Sequence, residues 1–122
     1  MRNMMISMLV LGSVTLSGTV LAAEEKWNKG VLFAAEKIAS LDGHQAYKIV
    51  FGLEPGKCTG DIVSVSEWLK MREGTMIQTY PGKGDVKRVK GDEWYQANGT
   101  KVKVCNKSNQ KAVLVGVQFR TK

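Results

Sequence analysis

Histidine is nearly missing from this chain of 122 residues, which contains one, and cysteine and proline occur twice each. A lone His44, placed just after Asp42-Gly43 in a turn, stands beside no serine or cysteine that it could activate. Two cysteines without a Cys-x-x-Cys spacing exclude a zinc ribbon and a thioredoxin-like redox motif. The scarcity of proline, with no Gly/Ser-rich run, leaves no linker, and a chain of this length holds one hydrophobic core. Gly82-Lys83-Gly84 lacks both the spacing of a phosphate loop and its following Ser or Thr. Carboxylates are numerous enough for a glycosidase pair, but Glu24-Glu25 lies near the chain start and Asp92-Glu93 in a polar turn. The sequence therefore assigns no catalytic residue, no metal ligand and no cofactor, and it predicts a protein that is not an enzyme.

What is present starts with an export pattern. Arg2 precedes an uncharged, mostly apolar stretch from Met4 to Leu21, and Ala22-Ala23 supplies the small residues that a signal peptidase accepts. Residues 1–22 are read as a signal peptide cut after Ala22, and residues 23–122 as a single mature domain, periplasmic or secreted. Gly12, Ser13, Thr15, Ser17, Gly18 and Thr19 make the segment a weak membrane anchor, so no stable span is expected after cleavage. In such a compartment Cys58 and Cys105 are expected to pair, and closing that loop removes about 4 kcal/mol of unfolded-state entropy.

Charge is unevenly placed. Residues 23–82 carry 7 basic and 8 acidic side chains, whereas residues 83–122 carry 10 basic and 3 acidic. Lys83, Lys87, Arg88, Lys90, Trp94, Tyr95, Lys101, Lys103, Lys107 and Lys111 combine positive charge with aromatic rings and form the candidate binding surface. Export argues against nucleic acid as its partner, which leaves an acidic protein, or an anionic glycan or other anionic surface. Asn106-Lys107-Ser108 matches the glycosylation acceptor pattern, which has meaning only in a eukaryotic host.

The hydropathy pattern predicts an α+β fold, predominantly antiparallel β, as a small sheet or barrel with one or two short helices. Trp27, Val31, Ala34, Ile38 and Leu41 share one face of a helix, while Val31, Phe33 and Ala35 also alternate as a strand would, and both readings stand. Ser64 with Glu67 forms a capping-box match that points to a short helix over residues 66–72. Strands are expected over 45–53, 75–80 and 86–89, with a short one over 62–65 as the competing reading before the helix. A β-hairpin is expected from Thr100–Cys105 and Ala112–Phe119, joined by a loop over 106–110.

Lys29-Gly30-Val31-Leu32-Phe33, Tyr47-Lys48-Ile49-Val50-Phe51, and Val102-Lys103-Val104-Cys105 through Val117-Gln118-Phe119 resemble strands of the B subunits of Shiga-type bacterial toxins. The resemblance covers about a third of the mature chain and uses common β patterns. It implies an OB-fold, a ring-forming assembly and binding to host glycans. The chain departs from that pattern in its first cysteine, which falls in mid-chain at Cys58 instead of early. Two functional expectations result: a non-catalytic binding protein, such as an inhibitor or immunity-type partner of a secreted protein, and a glycan-binding module.

Overall fold

The computed structural model describes residues 25–121, so the expected signal peptide lies outside the described residues. Ten strands follow one another: β1 (Trp27–Asn28), β2 (Val31–Leu41), β3 (His44–Leu53), β4 (Ile62–Val63), β5 (Ser66–Glu73), β6 (Thr75–Tyr80), β7 (Gly84–Val89), β8 (Glu93–Gln96), β9 (Lys101–Cys105) and β10 (Ala112–Thr121). They form a six-stranded sheet in the order β1-β2-β3-β10-β5-β8 and a four-stranded sheet in the order β4-β9-β6-β7. Every pairing is antiparallel.

The core lies between the sheets. Ile49, Leu53, Leu69, Met71 and Leu114 from the large sheet meet Met76, Val102 and Val104 from the small one. Strict alternation places them: Val102 and Val104 are buried while Lys101 and Lys103 are exposed, as the period of two requires. The central strand β10 bonds to β3 on one side and β5 on the other, so Leu114 points inward and Val113 and Val115 point to the outer face.

The α+β expectation is corrected: the described residues contain no helix. In the 27–41 segment the strand alternation wins, and the supposed helical face does not hold together, since Ile38 and Leu41 are exposed. Val31 and Ala34, neighbours on that helical face, lie on opposite sides of β2, and a register shift between Lys37 and Ala39 marks a bulge at Ile38. The helix expected over 66–72 is β5, with Glu67, Leu69 and Met71 inward and Trp68 and Lys70 exposed. Its capping box is absent: the Ser64 hydroxyl donates to Ala97 O, and Glu67 accepts from two glutamines.

The expected C-terminal hairpin is corrected as well. β9 pairs with β4 and β6, and β10 with β3 and β5, so the loop between them crosses from one sheet to the other. Asn106 organises that crossing. Its amide nitrogen donates to Leu53 O at 2.9 Å and Gln110 O at 2.7 Å, and its carbonyl oxygen accepts from Ser108 N and Oγ. Fully buried and doubly engaged, Asn106 offers no acceptor for a glycan in the folded chain. The true long hairpin is β2–β3, reversed at Asp42-Gly43 where both residues have positive φ. Ten strands in two sheets also differ from the five-stranded barrel that the toxin-subunit resemblance implied.

Two covalent or steric constraints hold the sheets together. The Cys58–Cys105 disulfide is formed and ties the loop after β3 to the end of β9. Gly74 links β5 to β6, passing from the large sheet to the small one with φ of 75°, and a Cβ there would lie 2.3 Å from Lys111 O. Gly74→Ala is expected to cost more than about 1 kcal/mol, since backbone strain and a clash with main chain act together; urea midpoints measure it. Cys58→Ser with Cys105→Ser is expected to lower unfolding free energy by about 4 kcal/mol, read from the same curves.

Candidate functional site

Polar side chains interrupt the inward rows of five strands at one level of the interior. Glu67 follows the inward phase of β5, Gln78 and Tyr80 that of β6, Arg88 that of β7, Gln96 that of β8 and Gln118 that of β10. Glu67 is the centre. Its Oε2 accepts from Gln96 Nε2 at 3.1 Å and its Oε1 from Gln118 Nε2 at 2.9 Å.

From that carboxylate two arms run outward, each ending in a guanidinium stacked on a ring. On one side Gln118 Oε1 accepts from Arg120 Nε and Nη2 at 3.1 and 2.7 Å, and Arg120 lies 3.9 Å from the centre of the Tyr47 ring. On the other, Gln96 Oε1 faces Gln78 Nε2 at 3.5 Å and Tyr80 Oη at 3.1 Å. Arg88 Nε donates to Gln78 Oε1 at 2.8 Å, and its guanidinium stacks 4.1 Å from the Trp94 ring. Burial is the dominant influence on Glu67 and raises its pKa above the ordinary carboxylate value; the Gln118 and Gln96 hydrogen bonds and the Arg120 charge pull the other way without reversing it.

Glu67, Gln78, Gln96 and Gln118 line a cavity of about 110 Å³ whose wall continues through Phe51 to Phe33 and Ile62. Phe33 and Ile62 are exposed, so the cavity opens to solvent past an aromatic lip. Gln96 and Gln118 each spend one amide proton on Glu67 and carry a second, and the carboxylate oxygens have further lone pairs. Among the described residues no group of three or more His, Cys, Asp or Glu side chains could hold a metal ion. One carboxylate among three neutral amides is a hydrogen-bonding set, suited to hydroxyls and amides and not to a soft or borderline metal.

The structure divides the cationic surface read from the sequence. Lys101 and Lys103 on β9 and Lys87 on β7 share the outer face of the small sheet, brought together by the Ile77↔Cys105 and Ile77↔Lys87 registers. Lys83 is exposed in the turn after β6 and joins Lys101 and Tyr80 in a shallow cleft of about 340 Å³. Lys90 lies at the large sheet, and Lys107 and Lys111 in the β9–β10 loop, where Lys111 sits 4.9 Å from the centre of the Trp27 ring. Arg88 and Trp94 point inward, while Tyr95 is exposed on the outer side of β8. His44 is exposed at the start of β3, 3.1 Å from Asp42 O. Sequence reasoning missed Glu67, Gln78, Gln96 and Gln118. The available signal was a polar residue two places beyond an inward apolar one, as in Met76-x-Gln78 and Trp94-x-Gln96.

No protein-family model matches this chain, and no curated protein matches it in sequence. Solved structures do share its fold. It is similar to a cupin superfamily protein from Desulfitobacterium hafniense at 14% identity, covering 78% of this chain and 82% of that one with a TM-score of 0.59. It is also similar to the polyketide cyclase RemF from Streptomyces resistomycificus, at 16% identity over 76% of this chain and 71% of that one, TM-score 0.58. A sugar phosphate isomerase of the cupin superfamily from Silicibacter pomeroyi matches at 19% identity over 75% of this chain and 60% of that one, TM-score 0.55. The architecture is thus the cupin type of jelly roll, which confirms the all-β correction, and enzymes are among the proteins that share it.

Because folding raises the Glu67 pKa, the folded state binds a proton more tightly than the unfolded chain. Stability contributed by Glu67 is therefore present in full below its unfolded pKa and is lost as pH rises to the folded value. Urea midpoints measured across the acid range will show this decline, and Glu67→Gln will remove it.

Proposed function

We propose that this protein is an exported, non-catalytic binding module that takes a hydroxyl-rich ligand, one ring of a glycan, at the open end of its β-sandwich. The observation that carries the reading is the Glu67 carboxylate held between the Gln96 and Gln118 amides at the base of a cavity lipped by exposed Phe33. Sugar recognition needs acidic and amide groups for paired hydroxyls and an aromatic surface for the C–H face of the ring. The cavity admits an edge of such a ring, with the remainder resting on Phe33 and Ile62. The Gln96 and Gln118 amides fix the Glu67 carboxylate, whose remaining lone pairs are the acceptors for ligand hydroxyls.

A second reading is supported by Lys87, Lys101 and Lys103 on the outer face of the small sheet, which suit an acidic protein partner. The two readings use different surfaces and separate in one experiment. A glycan array followed by calorimetry is expected to give binding that Phe33→Ala or Gln118→Leu weakens by about tenfold or more, roughly 1.4 kcal/mol. Replacing Lys87, Lys101 and Lys103 by Glu is expected to leave it unchanged. A salt-sensitive protein partner lost with the three lysines, without any glycan signal, would transfer the function to the cationic face.

A further inference from the structure

The two amides beside Glu67 are held differently at their far ends. Gln118 Oε1 accepts from Arg120 Nε and Nη2 at 3.1 and 2.7 Å. A guanidinium has donors only, so a reversed Gln118 would set its NH2 group against N–H groups. Gln118 is locked with its nitrogen toward the carboxylate. Gln96 Oε1 instead accepts from Tyr80 Oη at 3.1 Å and meets Gln78 Nε2 at 3.5 Å, the long limit of a hydrogen bond. A phenol both donates and accepts. Tyr80 Oη has a second acceptor for its proton in Gln78 Oε1 at 2.8 Å, and it takes one N–H from Arg88 Nη2 at 3.3 Å. That leaves the phenol oxygen able to receive an N–H from a reversed Gln96 amide.

We propose that Gln96 is the moving part of a proton-operated switch in this site. Ionised Glu67 draws the Gln96 nitrogen to its Oε2, while neutral Glu67 donates from Oε2 to the Oε1 of a reversed Gln96, whose nitrogen turns to Tyr80 Oη. The exchange keeps Glu67, Gln96 and Tyr80 partnered and gives up only the long Gln78 contact. Without it, a proton on Oε2 would point at an N–H, leaving an unpaired donor on a residue only 7% exposed. Gln118 keeps its bond to Oε1 throughout. Given the reading of the cavity as a hydroxyl site, the reversal also sets when it binds. Ionised Glu67 offers charged lone pairs to ligand hydroxyls; once neutral and bonded to Gln96 it has lost that charge, so the ligand is released on acidification.

The groups that surround Glu67 agree with this assignment. Arg120 on β10 and Arg88 on β7 face the cluster from its two ends, each through a glutamine carbonyl. Tyr80 on β6 and Tyr47 on β3 are the phenols beside them, and exposed Lys37 on β2 stands opposite Tyr47. β8 presents Trp94 and Gln96 inward, and from β9 and β4 only Val102, Val104 and Ile62 reach the cavity wall. Burial outweighs the Arg120 charge and lifts the Glu67 pKa, so the switch turns at milder acidity than an exposed carboxylate would set.

Nuclear magnetic resonance of the oxidised, ligand-free protein tests the reversal. As the Glu67 carboxyl carbon titrates, the Gln96 side-chain amide resonances are expected to move with the same midpoint and to gain Overhauser contacts to the Tyr80 ring, whereas those of Gln118 keep their contacts. Glu67→Gln is expected to leave Gln96 indifferent to pH. Arg120→Met removes the lock on the other amide, so Gln118 is then expected to follow the titration too; the same spectra report whether each variant is folded. A Gln96 amide that keeps its contacts while Glu67 titrates would overturn the proposal, as would a Gln118 that moves equally in the wild type or stays fixed in folded Arg120→Met. The glycan array, repeated on either side of the Glu67 midpoint, reads the release, with signal expected to fall about tenfold or more on the acid side. Equal signal on both sides would overturn the release, whereas silence on both would count against the glycan reading and leave the reversal to the spectra.

Discussion

Register on β10 is the constraint on which the rest depends. The strand is laddered to β3 along ten paired positions and to β5 along most of its length, so both neighbours fix the same phase. A slip of one residue would send Gln118 to the outer face and Val117 into the cavity, destroying the polar cluster in one step. Gly116 shows how tightly the ladder is drawn, since a Cβ there would lie 2.2 Å from Trp68 O. The interior site and the outer face are therefore two readings of one alternation.

The small sheet has no hydrogen-bonded ladder to the large one and is held by other means. The disulfide fixes the loop after β3 to β9, and Asn106 joins that loop's neighbourhood to the crossing by binding Leu53 O and Gln110 O. Backbone bonds from Gly56 N to Asn106 O and from Asn106 N to Lys57 O complete the junction. A buried amide that satisfies several main-chain groups costs little, because each of its polar atoms has a partner. Losing it would remove the side-chain donor to the buried Leu53 carbonyl, while Gln110 O keeps the Ser108 hydroxyl.

Much of the β structure was legible in sequence because alternation is a local signal. Thr75–Tyr80, Gln45–Leu53 and Thr100–Cys105 coincide with strands, and the cysteine pairing followed from number and context. The errors have two origins. Local helix signals, the steps of three and four from Trp27 to Leu41 and the Ser64–Glu67 match, were overruled by strand pairing with β3 and β10. Partner choice between strands is non-local, so two adjacent strands with a polar loop between them read as a hairpin although they belong to different sheets. The polar cluster escaped notice for a related reason: Glu67, Gln78, Gln96 and Gln118 come from four strands and converge only when the sheets close.

That convergence bears on why the charge of the last third of the chain does not act as a single surface. Arg88 and Arg120 are spent inside the fold, each stacked on a ring and donating to a glutamine carbonyl. Their positive charges stand at the two ends of a relay whose middle is the Glu67 carboxylate, so the amides between them are polarised toward Glu67 from both sides. The rings of Tyr47 and Trp94 close the two ends of that relay, and both pack in or against the core. Side chains alone thus connect the two sheets here, through the contacts of Gln96 with Gln78 and Tyr80, where no backbone ladder joins them.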